Sequence, residues 1–420
     1  MNNLDGVSST NQANRELRVV AVLFFTWGSV FLARMSGLYL APYIALEFQL
    51  THAQVGMLSS VLAITWAFSG LFLGSLSDHI GRRVILIPCA FSFSILCMAS
   101  GLVHSFNQLL LLRGLMGVAL GPTWPILNAM VKDSSSPATR GRNVGAVVSA
   151  AALVGLTMAP LLATQVAARF NWRWAFLAAG IPGLVMSFLV LKYAPESELA
   201  SSRSSRLAAW REFSLILRQP NIWLCCLGTA GFMCWLFITH TFAPLYMIEV
   251  AHQAPTTAGW LIAATGLGSF LLGFILPGIS DRIGRRLALM IMATLSVAVP
   301  LLLLVSRLYQ HLWLLAALLL VANAGQGVSA LIMVLIPSES VRPEFAATAI
   351  ALTTFVGELV GATVAPWESG RLAQSHGLGI TLWIAGAGMM LVLLLSTAMK
   401  ETSTAVRAQS VRLPGTSLSS

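Results

Sequence analysis

Four titratable side chains interrupt segments of the sequence that are otherwise almost entirely apolar. Arg34, Arg113 and Glu358 lie well inside such segments, and His240 lies nearer the end of another. A charge inside a lipid bilayer is costly, so the charges found there usually face a cavity and serve an ion or a substrate. If the apolar segments cross a membrane, these four residues are the first candidates for a functional site.

The composition places those segments in a membrane. Hydrophobic residues make up 57% of the 420 residues and charged residues only 10%, and the mean hydropathy is +0.80. A soluble chain of this length needs a much larger polar surface. The sequence contains twelve apolar segments of about twenty residues, the length that crosses the hydrocarbon core. We therefore predict an all-α integral membrane protein with twelve transmembrane helices.

The net charge of +10 follows the predicted topology. Most of the 25 lysines and arginines fall in connecting segments on one side of the membrane. By the positive-inside rule these loops and both termini are cytoplasmic, in an inner or plasma membrane. Residues 1–16 are polar and lack the design of a cleaved signal peptide, so we expect the first apolar segment to be retained. The basic charge therefore predicts contact with lipid and no nucleic-acid partner.

Residues suited to enzyme chemistry form no recognisable constellation. The five cysteines lie inside apolar segments without metal-ligand spacing; they are Cys89, Cys97, Cys225, Cys226 and Cys234. Small core residues are the expected role, and a disulfide framework is not expected. No Ser/His/Asp set or phosphate-binding loop is present. We expect no catalytic residue, no metal and no cofactor, and we disfavour an enzyme or a non-transporting receptor.

Two loops share a ten-residue pattern that basic charge alone does not explain. The copies are Gly74-Ser-Leu-Ser-Asp78-His-Ile-Gly81-Arg82-Arg83 and Pro277-Gly-Ile-Ser-Asp281-Arg-Ile-Gly284-Arg285-Arg286. Glycine permits a tight turn, and the arginines hold the loop at a membrane face. The aspartate can pair with an arginine or cap a helix. We predict that both loops take part in gating.

A second internal match indicates a duplicated unit of six helices. Residues 153–160 resemble residues 359–366, and nearly the same offset separates the two loops. Six helices cross an even number of times, so both halves have the same orientation and a binding site is expected between them. The predicted organisation is a cytoplasmic N-terminal segment 1–17, a half 18–193, a cytoplasmic linker 194–220, a half 221–399 and a disordered cytoplasmic tail 400–420.

The two arginines are predicted to lie at similar depth. The first helix runs outward, and Arg34 lies in its second half. The fourth helix runs inward, and Arg113 lies near its start. Two fixed cations facing one cavity would attract a carboxylate, which arginine binds through two parallel hydrogen bonds. A structural role, bonding neighbouring backbone, is the alternative for Arg113. Arg34 has no acidic neighbour in its own helix, which favours a substrate role there.

These residues resemble those of a known family. The repeated loop is similar to the signature loop between helices two and three of the major facilitator superfamily of secondary transporters. The run from Arg113 to Pro125 resembles the fourth helix of its anion:cation symporter branch, and residues 171–176 resemble the usual opening of helix six. The resemblance implies a monomer with two six-helix, pseudo-symmetric halves. It would carry a small organic anion, such as a carboxylate, sugar acid or aromatic acid, with protons and by alternating access.

Two departures from that branch shift the expected proton site. Ala33 and Leu120 stand where the branch has acids linked to proton coupling. Glu358 is the replacement candidate, because burial and nearby arginines act on its pKa in opposite directions. A structural carboxylate paired with Arg34 or Arg113 is the alternative. The predicted substrate site comprises Trp27, Arg34, Tyr39, Arg113, His240, Gln326 and Glu358.

Proton-driven efflux of drugs or metabolites is the second hypothesis. The aromatic residues of this chain would suit an apolar cargo, and the same fold is compatible with efflux. The efflux branch usually carries Gly-Pro-x-x-Gly-Gly in helix five, where this chain has Met158-Ala-Pro160-Leu-Leu-Ala163. In either case Glu339 and Arg342 are expected to pair with the first repeated loop and hold the cytoplasmic side shut.

Overall fold

The computed structural model describes residues 2–136, 139–194, 215–342 and 345–403, which form helices and connecting turns without a β-strand. Twelve of the helices are long and apolar enough to cross a membrane. They are α1 (Asn14–Tyr39), α2 (His52–Ile80), α3 (Arg82–Leu102), α4 (Phe106–Ser134), α5 (Arg140–Arg169), α6 (Trp172–Tyr193), α7 (Pro220–Glu249), α8 (Pro255–Ile283), α9 (Arg285–Leu304), α10 (Leu312–Glu339), α11 (Ala346–His376) and α12 (Gly379–Ala398). The predicted all-α, twelve-helix class is confirmed.

Contacts among the helices define two bundles. Helix α3 packs against α6, and α12 packs against α7 and α9. Helices α2 and α11 meet across the two bundles, as do α5 and α8. We call the end that carries the two repeated loops the motif face, and the other end the opposite face. The site described below lies between the bundles.

The two halves share a local backbone irregularity. Residues Ala151–Met158 of α5 and Gly357–Val364 of α11 are π-helical, and each segment is followed by Ala-Pro. Proline lacks an N–H and crowds the preceding turn, and a wider turn relieves both problems. A threonine hydroxyl donates to the carbonyl five residues earlier in each copy, from Thr157 to Ala152 and from Thr363 to Glu358, both at 2.9 Å. The shared irregularity supports the predicted duplication.

Helices α4 and α10 are both interrupted near their middle. The break in α4 falls at Gly121-Pro122, and that in α10 falls at Asn323-Ala324. At the second break the Asn323 carboxamide accepts the Gly325 N–H at 2.9 Å, and the Gln326 N–H donates to Ser269 Oγ at 3.0 Å. Side chains therefore satisfy backbone groups that the broken helix leaves open.

The repeated loops form tight turns, each tied to its own half. Gly81 and Gly284 adopt φ values of 108° and 98°, which L-residues with side chains rarely adopt. Arg82 pairs with Asp78 at 3.4 Å and with Asp133 at the end of α4.

In the second loop, Arg285 pairs with Asp281 at 2.7 Å and with Glu339 at the end of α10 at 2.9 Å. The expectation that Glu339 pairs with the first loop is therefore wrong for this conformation. Glu339 also accepts a hydrogen bond from the Thr402 hydroxyl at 2.6 Å. Both partners lie in its own bundle, because α10 ends beside the start of α9.

At both ends of the described chain, structured residues extend beyond the predicted first and last membrane segments. The first helix runs from Asn2 to Tyr39 rather than starting near residue 18. Glu401, in the predicted tail, accepts the N–H groups of Arg285 and Arg286 at 2.9 and 3.1 Å and so caps α9. Burial raises the pKa of Glu401, but hydrogen bonds from four backbone N–H groups outweigh burial and lower it. Residues 404–420 of the tail and 195–214 of the linker lie outside the described residues.

The run 171–176 fastens α6 to the short helix Ala41–Phe48 at the opposite face. The Glu47 carboxylate accepts hydrogen bonds from Arg173 and from Trp172 Nε1, at 2.8 and 2.6 Å. Arg173 also donates to the Val103 carbonyl at 3.1 Å. The hydrogen bond from Arg173 lowers the pKa of Glu47.

Glu47→Gln should make the thermal stability of the protein less sensitive to acid. A lowered pKa stabilises the fold above the unfolded value of the carboxyl, and that stability is lost as the pH falls through the folded value. The variant should therefore lose less thermal stability than the parent between about pH 5 and 3. Melting temperatures in detergent across that range test this. Glu368→Gln is the matched control, because its pair with Arg371 stays within one exposed helical turn.

Candidate functional site between the two halves

The centre of the molecule is a buried ion pair that joins the two halves. Arg34 of α1 donates from its two terminal nitrogens to the two oxygens of Glu358 in α11, at 3.0 and 2.7 Å. Both residues are only 3% exposed. The parallel pair of bonds is the geometry in which arginine binds a carboxylate most strongly. Glu358 sits in the π-helical segment of α11, so the irregular backbone positions an acid against the first helix.

Two aromatic rings enclose the Arg34 guanidinium. Its central carbon lies 4.2 Å from the ring centre of Trp66 in α2 and 4.3 Å from that of Phe237 in α7. Arginine faces are weakly hydrated and attracted to aromatic rings, so the rings stabilise the cation without neutralising it. The Arg34 Nε has no hydrogen-bond partner in the part of the chain that the structure describes. The charge is therefore held in place by packing from both halves while its two terminal nitrogens remain directed at a carboxylate.

A cavity borders this ion pair on the side of the motif face. It contains about 830 Å³ of empty space, its open mouth included. Of the predicted substrate residues, Trp27, Arg34, Gln326 and Glu358 line it. Gln326 follows the break in α10; its side chain lines the cavity and also packs against Gly273 of α8.

Indole and phenyl rings supply most of the cavity wall. Trp27 lies 4.8 Å from Trp124 and 6.3 Å from Trp66, measured between ring centres. On the other half, Trp235 stacks on Phe232 at 5.9 Å. The indole nitrogens of Trp27 and Trp235 have no hydrogen-bond partner among the described residues. Such a wall suits a flat, apolar solute that carries a few hydrogen-bond acceptors.

Trp124 lines the cavity but was not among the substrate residues predicted from the sequence. It follows Gly121-Pro122, the break in α4, at the position that corresponds to the Gln326 region after the break in α10. A Gly-Pro pair inside an apolar segment was the available signal, since side chains after such a break are often turned toward a cavity.

Arg113 has surroundings different from those predicted for a substrate residue. It is 1% exposed, donates to the Arg34 carbonyl at 3.3 Å and lies 5.5 Å from the Phe176 ring centre. A Cβ added to Gly37 would fall 0.9 Å from an Arg113 terminal nitrogen, so the guanidinium fills the space that Gly37 leaves open. The two arginines do lie at one depth, but Arg113 is absent from the cavity wall and occupies the α1–α4 interface instead.

Arg113→Ala should therefore weaken the fold more than it weakens ligand binding. Removing the side chain leaves a hole against Gly37, which should cost about 2–5 kcal/mol of stability. We expect a clear fall in melting temperature and a Kd for the transported ligand that changes less than about threefold. Adding Gly37→Leu should recover part of the melting temperature. A normal melting temperature with a strongly raised Kd would return Arg113 to the substrate site.

Tyr39 and His240 lie beyond the ion pair, toward the opposite face. The Tyr39 hydroxyl and His240 Nδ1 are 3.0 Å apart, which links α1 to α7. Each side chain is 1% exposed, and neither lines the cavity. In this conformation neither side chain reaches the cavity, because the helices close around them on this side of Arg34.

Close backbone contacts seal the opposite face. A Cβ on Gly56 of α2 would lie 2.3 Å from the Pro366 carbonyl oxygen of α11, and one on Gly370 would lie 2.3 Å from the His52 carbonyl oxygen. His52 also contacts Glu249 at the end of α7, at 3.1 Å. Helices α2, α7 and α11 are thus held together beyond the ion pair, and the cavity extends only toward the motif face.

This fold and central site define a transporter, and the sequence assigns its family. The model of the Major Facilitator Superfamily matches residues 22–366 and again residues 236–415. The chain belongs to the Major Facilitator Superfamily; it is an integral, multi-pass membrane transport protein and not an enzyme. The resemblance inferred from the repeated loops is confirmed.

Several named proteins are similar in sequence. The chain is 29% identical over 359 residues to the cis,cis-muconate transport protein of Acinetobacter baylyi, covering 82% of this chain and 84% of that protein. It is 28% identical over 263 residues to the probable 4-methylmuconolactone transporter of Cupriavidus pinatubonensis, covering 61% and 60%. It is also 28% identical over 322 residues to the multidrug resistance protein MdtG of Dickeya zeae, covering 73% and 76%.

A solved structure shares the fold. It is a bacterial homologue of the human lysosomal transporter Spinster in an inward-facing, unoccupied conformation. The TM-score is 0.71 at 18% identity, covering 91% of this chain and 97% of that one. At this identity the likeness establishes the fold alone.

Proposed function

We propose that the protein carries a small organic monocarboxylate together with a proton, and that the substrate carboxylate replaces Glu358 on Arg34. The observation that carries this proposal is the double hydrogen bond between Arg34 and Glu358 at the cavity wall. The site already holds a carboxylate in the geometry that a substrate carboxylate would take. Protonation of Glu358 would release Arg34 and allow the exchange.

Charge balance links the two ligands. The empty site contains one cation and one carboxylate, both 3% exposed, so its net charge is zero. A substrate anion without a proton would leave one uncompensated negative charge in a buried place, which is strongly unfavourable. A substrate anion with protonated Glu358 restores neutrality. The proton and the anion should therefore each raise the affinity for the other.

The wall of the cavity supports a flat, unsaturated or aromatic acid as the substrate. Tryptophan and phenylalanine rings surround the ion pair, and Gln326 is among the few polar side chains nearby. A sugar acid carries many hydroxyl groups, which such a wall would leave without partners. The name of the methylmuconolactone relative agrees with an unsaturated monocarboxylate. Muconate, named for another relative, is also unsaturated but carries two carboxylates.

We further propose an inward-facing arrangement in which the motif face is cytoplasmic. The positive-inside rule gives this orientation, with both termini in the cytoplasm of the inner or plasma membrane. The halves 18–193 and 221–399 would then rock about the Arg34–Glu358 level as a monomer, with the repeated loops as gating elements. Opening the opposite face requires α2 and α11 to separate at Gly56 and Gly370.

Uptake into proteoliposomes tests this function. A panel of labelled aromatic acids, unsaturated carboxylates and sugar acids should be offered with and without an inward proton gradient. We expect gradient-dependent accumulation of at least one flat acid, and a Kd for that acid that falls as the pH is lowered. Accumulation of sugar acids alone would contradict the substrate class. Uptake that only equilibrates, with a Kd independent of pH, would contradict proton coupling.

Proton-driven efflux remains a second candidate because MdtG relatives match the chain over a similar length. In that case a neutral or cationic cargo would compete with the proton for Glu358. Lowering the pH would then weaken cargo binding, the reverse of the expectation for an anion and a proton that bind together. The sign of the pH dependence therefore separates the two functions.

A further inference from the structure

A second cavity lies at the motif face, away from the ion pair. It contains about 820 Å³ of empty space, its mouth included, and four cationic side chains line it: Arg15, Arg18, Arg83 and Lys192. Val19, Tyr193 and Ala194 complete the described part of its wall. No carboxylate belongs to this wall within the described residues. These cations lie outside the transport site. Their grouping in one pocket creates a positive potential that attracts an anion.

Two helix ends and the early part of the first helix build this basic pocket at the edge of the membrane-spanning region. Arg15 and Arg18 lie near the start of the apolar span Asn14–Tyr39, Arg83 lies at the start of α3, and Lys192 lies at the end of α6. Lys192 Nζ lies 5.2 Å from the Tyr193 ring centre, and a terminal nitrogen of Arg83 donates to the Leu191 carbonyl. These contacts anchor two of the cations at the rim. The charges thus lie at the depth of lipid head groups.

Exposed apolar side chains flank the basic pocket. Leu17, Val84 and Phe188 are 68%, 58% and 57% exposed, and they belong to the same three helices. A free phosphate ion would make no use of them. A phospholipid would place its phosphate among the cations and its acyl chains on these side chains, as other membrane proteins do at basic pockets between helices.

We propose that this pocket binds the head group of an anionic phospholipid, through phosphate oxygens that accept hydrogen bonds from Arg15, Arg18 and Lys192. The other half provides a physical parallel. At the corresponding junction of α9 with the segment after α12, the Glu401 carboxylate sits on the Arg285 and Arg286 N–H groups. In the second half, the start of α9 therefore binds a carboxylate. In the first half, we expect the basic pocket at the start of α3 to bind a lipid phosphate.

The test measures binding of diphosphatidylglycerol and phosphatidylglycerol to the full-length protein in detergent, by native mass spectrometry and by the shift in melting temperature. The test variant is Arg15→Gln/Arg18→Gln/Lys192→Gln. Each basic residue near an anionic lipid contributes roughly fivefold in affinity, so we expect a loss on the order of 100-fold. Phosphatidylcholine should neither remain bound in the mass spectrometer nor raise the melting temperature, in the parent or in the test variant.

A matched control removes three other exposed cations from the same face and the same half: Lys132→Gln/Arg140→Gln/Arg142→Gln. It should retain lipid binding within about twofold. An equal loss of lipid affinity in both variants would mean that the positive charge of the whole face attracts the lipid, and it would overturn the proposed site. A melting shift produced equally by inorganic phosphate would mean a free-anion site. Lipid binding that occurs only after Glu196→Gln/Glu198→Gln would mean that linker carboxylates occupy the pocket, which would also overturn the proposal.

Discussion

Arg34→Gln should abolish carboxylate transport, with a Kd for the acid raised at least about 100-fold. The substitution removes the only cation that lines the central cavity within the described residues. It also leaves the Glu358 carboxylate buried without its partner, which should lower the stability of the fold. Binding of a labelled acid to purified protein and its uptake into proteoliposomes measure the effect.

A double variant separates loss of binding from loss of folding. Arg34→Gln/Glu358→Gln removes both charges together, so no uncompensated charge remains buried. We expect its melting temperature to lie near that of the parent, whereas acid binding stays lost. Acid binding that survives in a folded Arg34→Gln protein would place the substrate carboxylate elsewhere and remove the basis of the proposed exchange.

Glu358→Gln should uncouple transport from the proton gradient while it tightens binding of the acid. A neutral amide imitates the protonated carboxyl and cannot compete with the substrate as an anion. We expect a Kd lowered by about tenfold, which corresponds to ~1.4 kcal/mol. The Kd should also lose its dependence on pH, because the amide cannot bind the proton that we propose Glu358 carries. Exchange of labelled for unlabelled acid should persist, but accumulation should not.

Three outcomes contradict the assignment of Glu358. Gradient-driven accumulation in Glu358→Gln would show that another group carries the proton. A raised Kd would show that Glu358 supports acid binding instead of competing with it. Loss of exchange in a protein with a normal melting temperature would make the carboxylate essential for the conformational change itself. Glu339→Gln is a useful control, since that carboxylate pairs with Arg285 far from the cavity.

The fold followed from sequence because the bilayer imposes simple requirements. A crossing helix needs about twenty apolar residues, and backbone groups in lipid must be bonded within the helix. Twelve segments met that requirement, and twelve helices among the described residues are long and apolar enough to cross a membrane. The internal repeat could also be recognised from the sequence. The repeated loops and the residues before Pro160 and Pro366 require particular local backbone conformations, and such requirements restrict which residues can stand there.

Helix ends and the state of the chain's tail were less predictable. The first helix begins at Asn2, because nothing in the bilayer requirement stops a helix from continuing into water. Glu401 is ordered because it caps α9, a partner more than a hundred residues away. Hydropathy contains no information about such a contact.

The sequence by itself determined the membrane class, the duplicated halves and the short set of buried charges from which any site had to be built. Only the tertiary structure decided what each charge does. It turned Arg34 toward Glu358 and the cavity, and turned Arg113 into the gap beside Gly37, although both are arginines at one depth. The cost of burying a charge depends on depth and is visible in sequence. Its partner depends on helix rotation and packing across the two halves, which only the assembled bundle fixes.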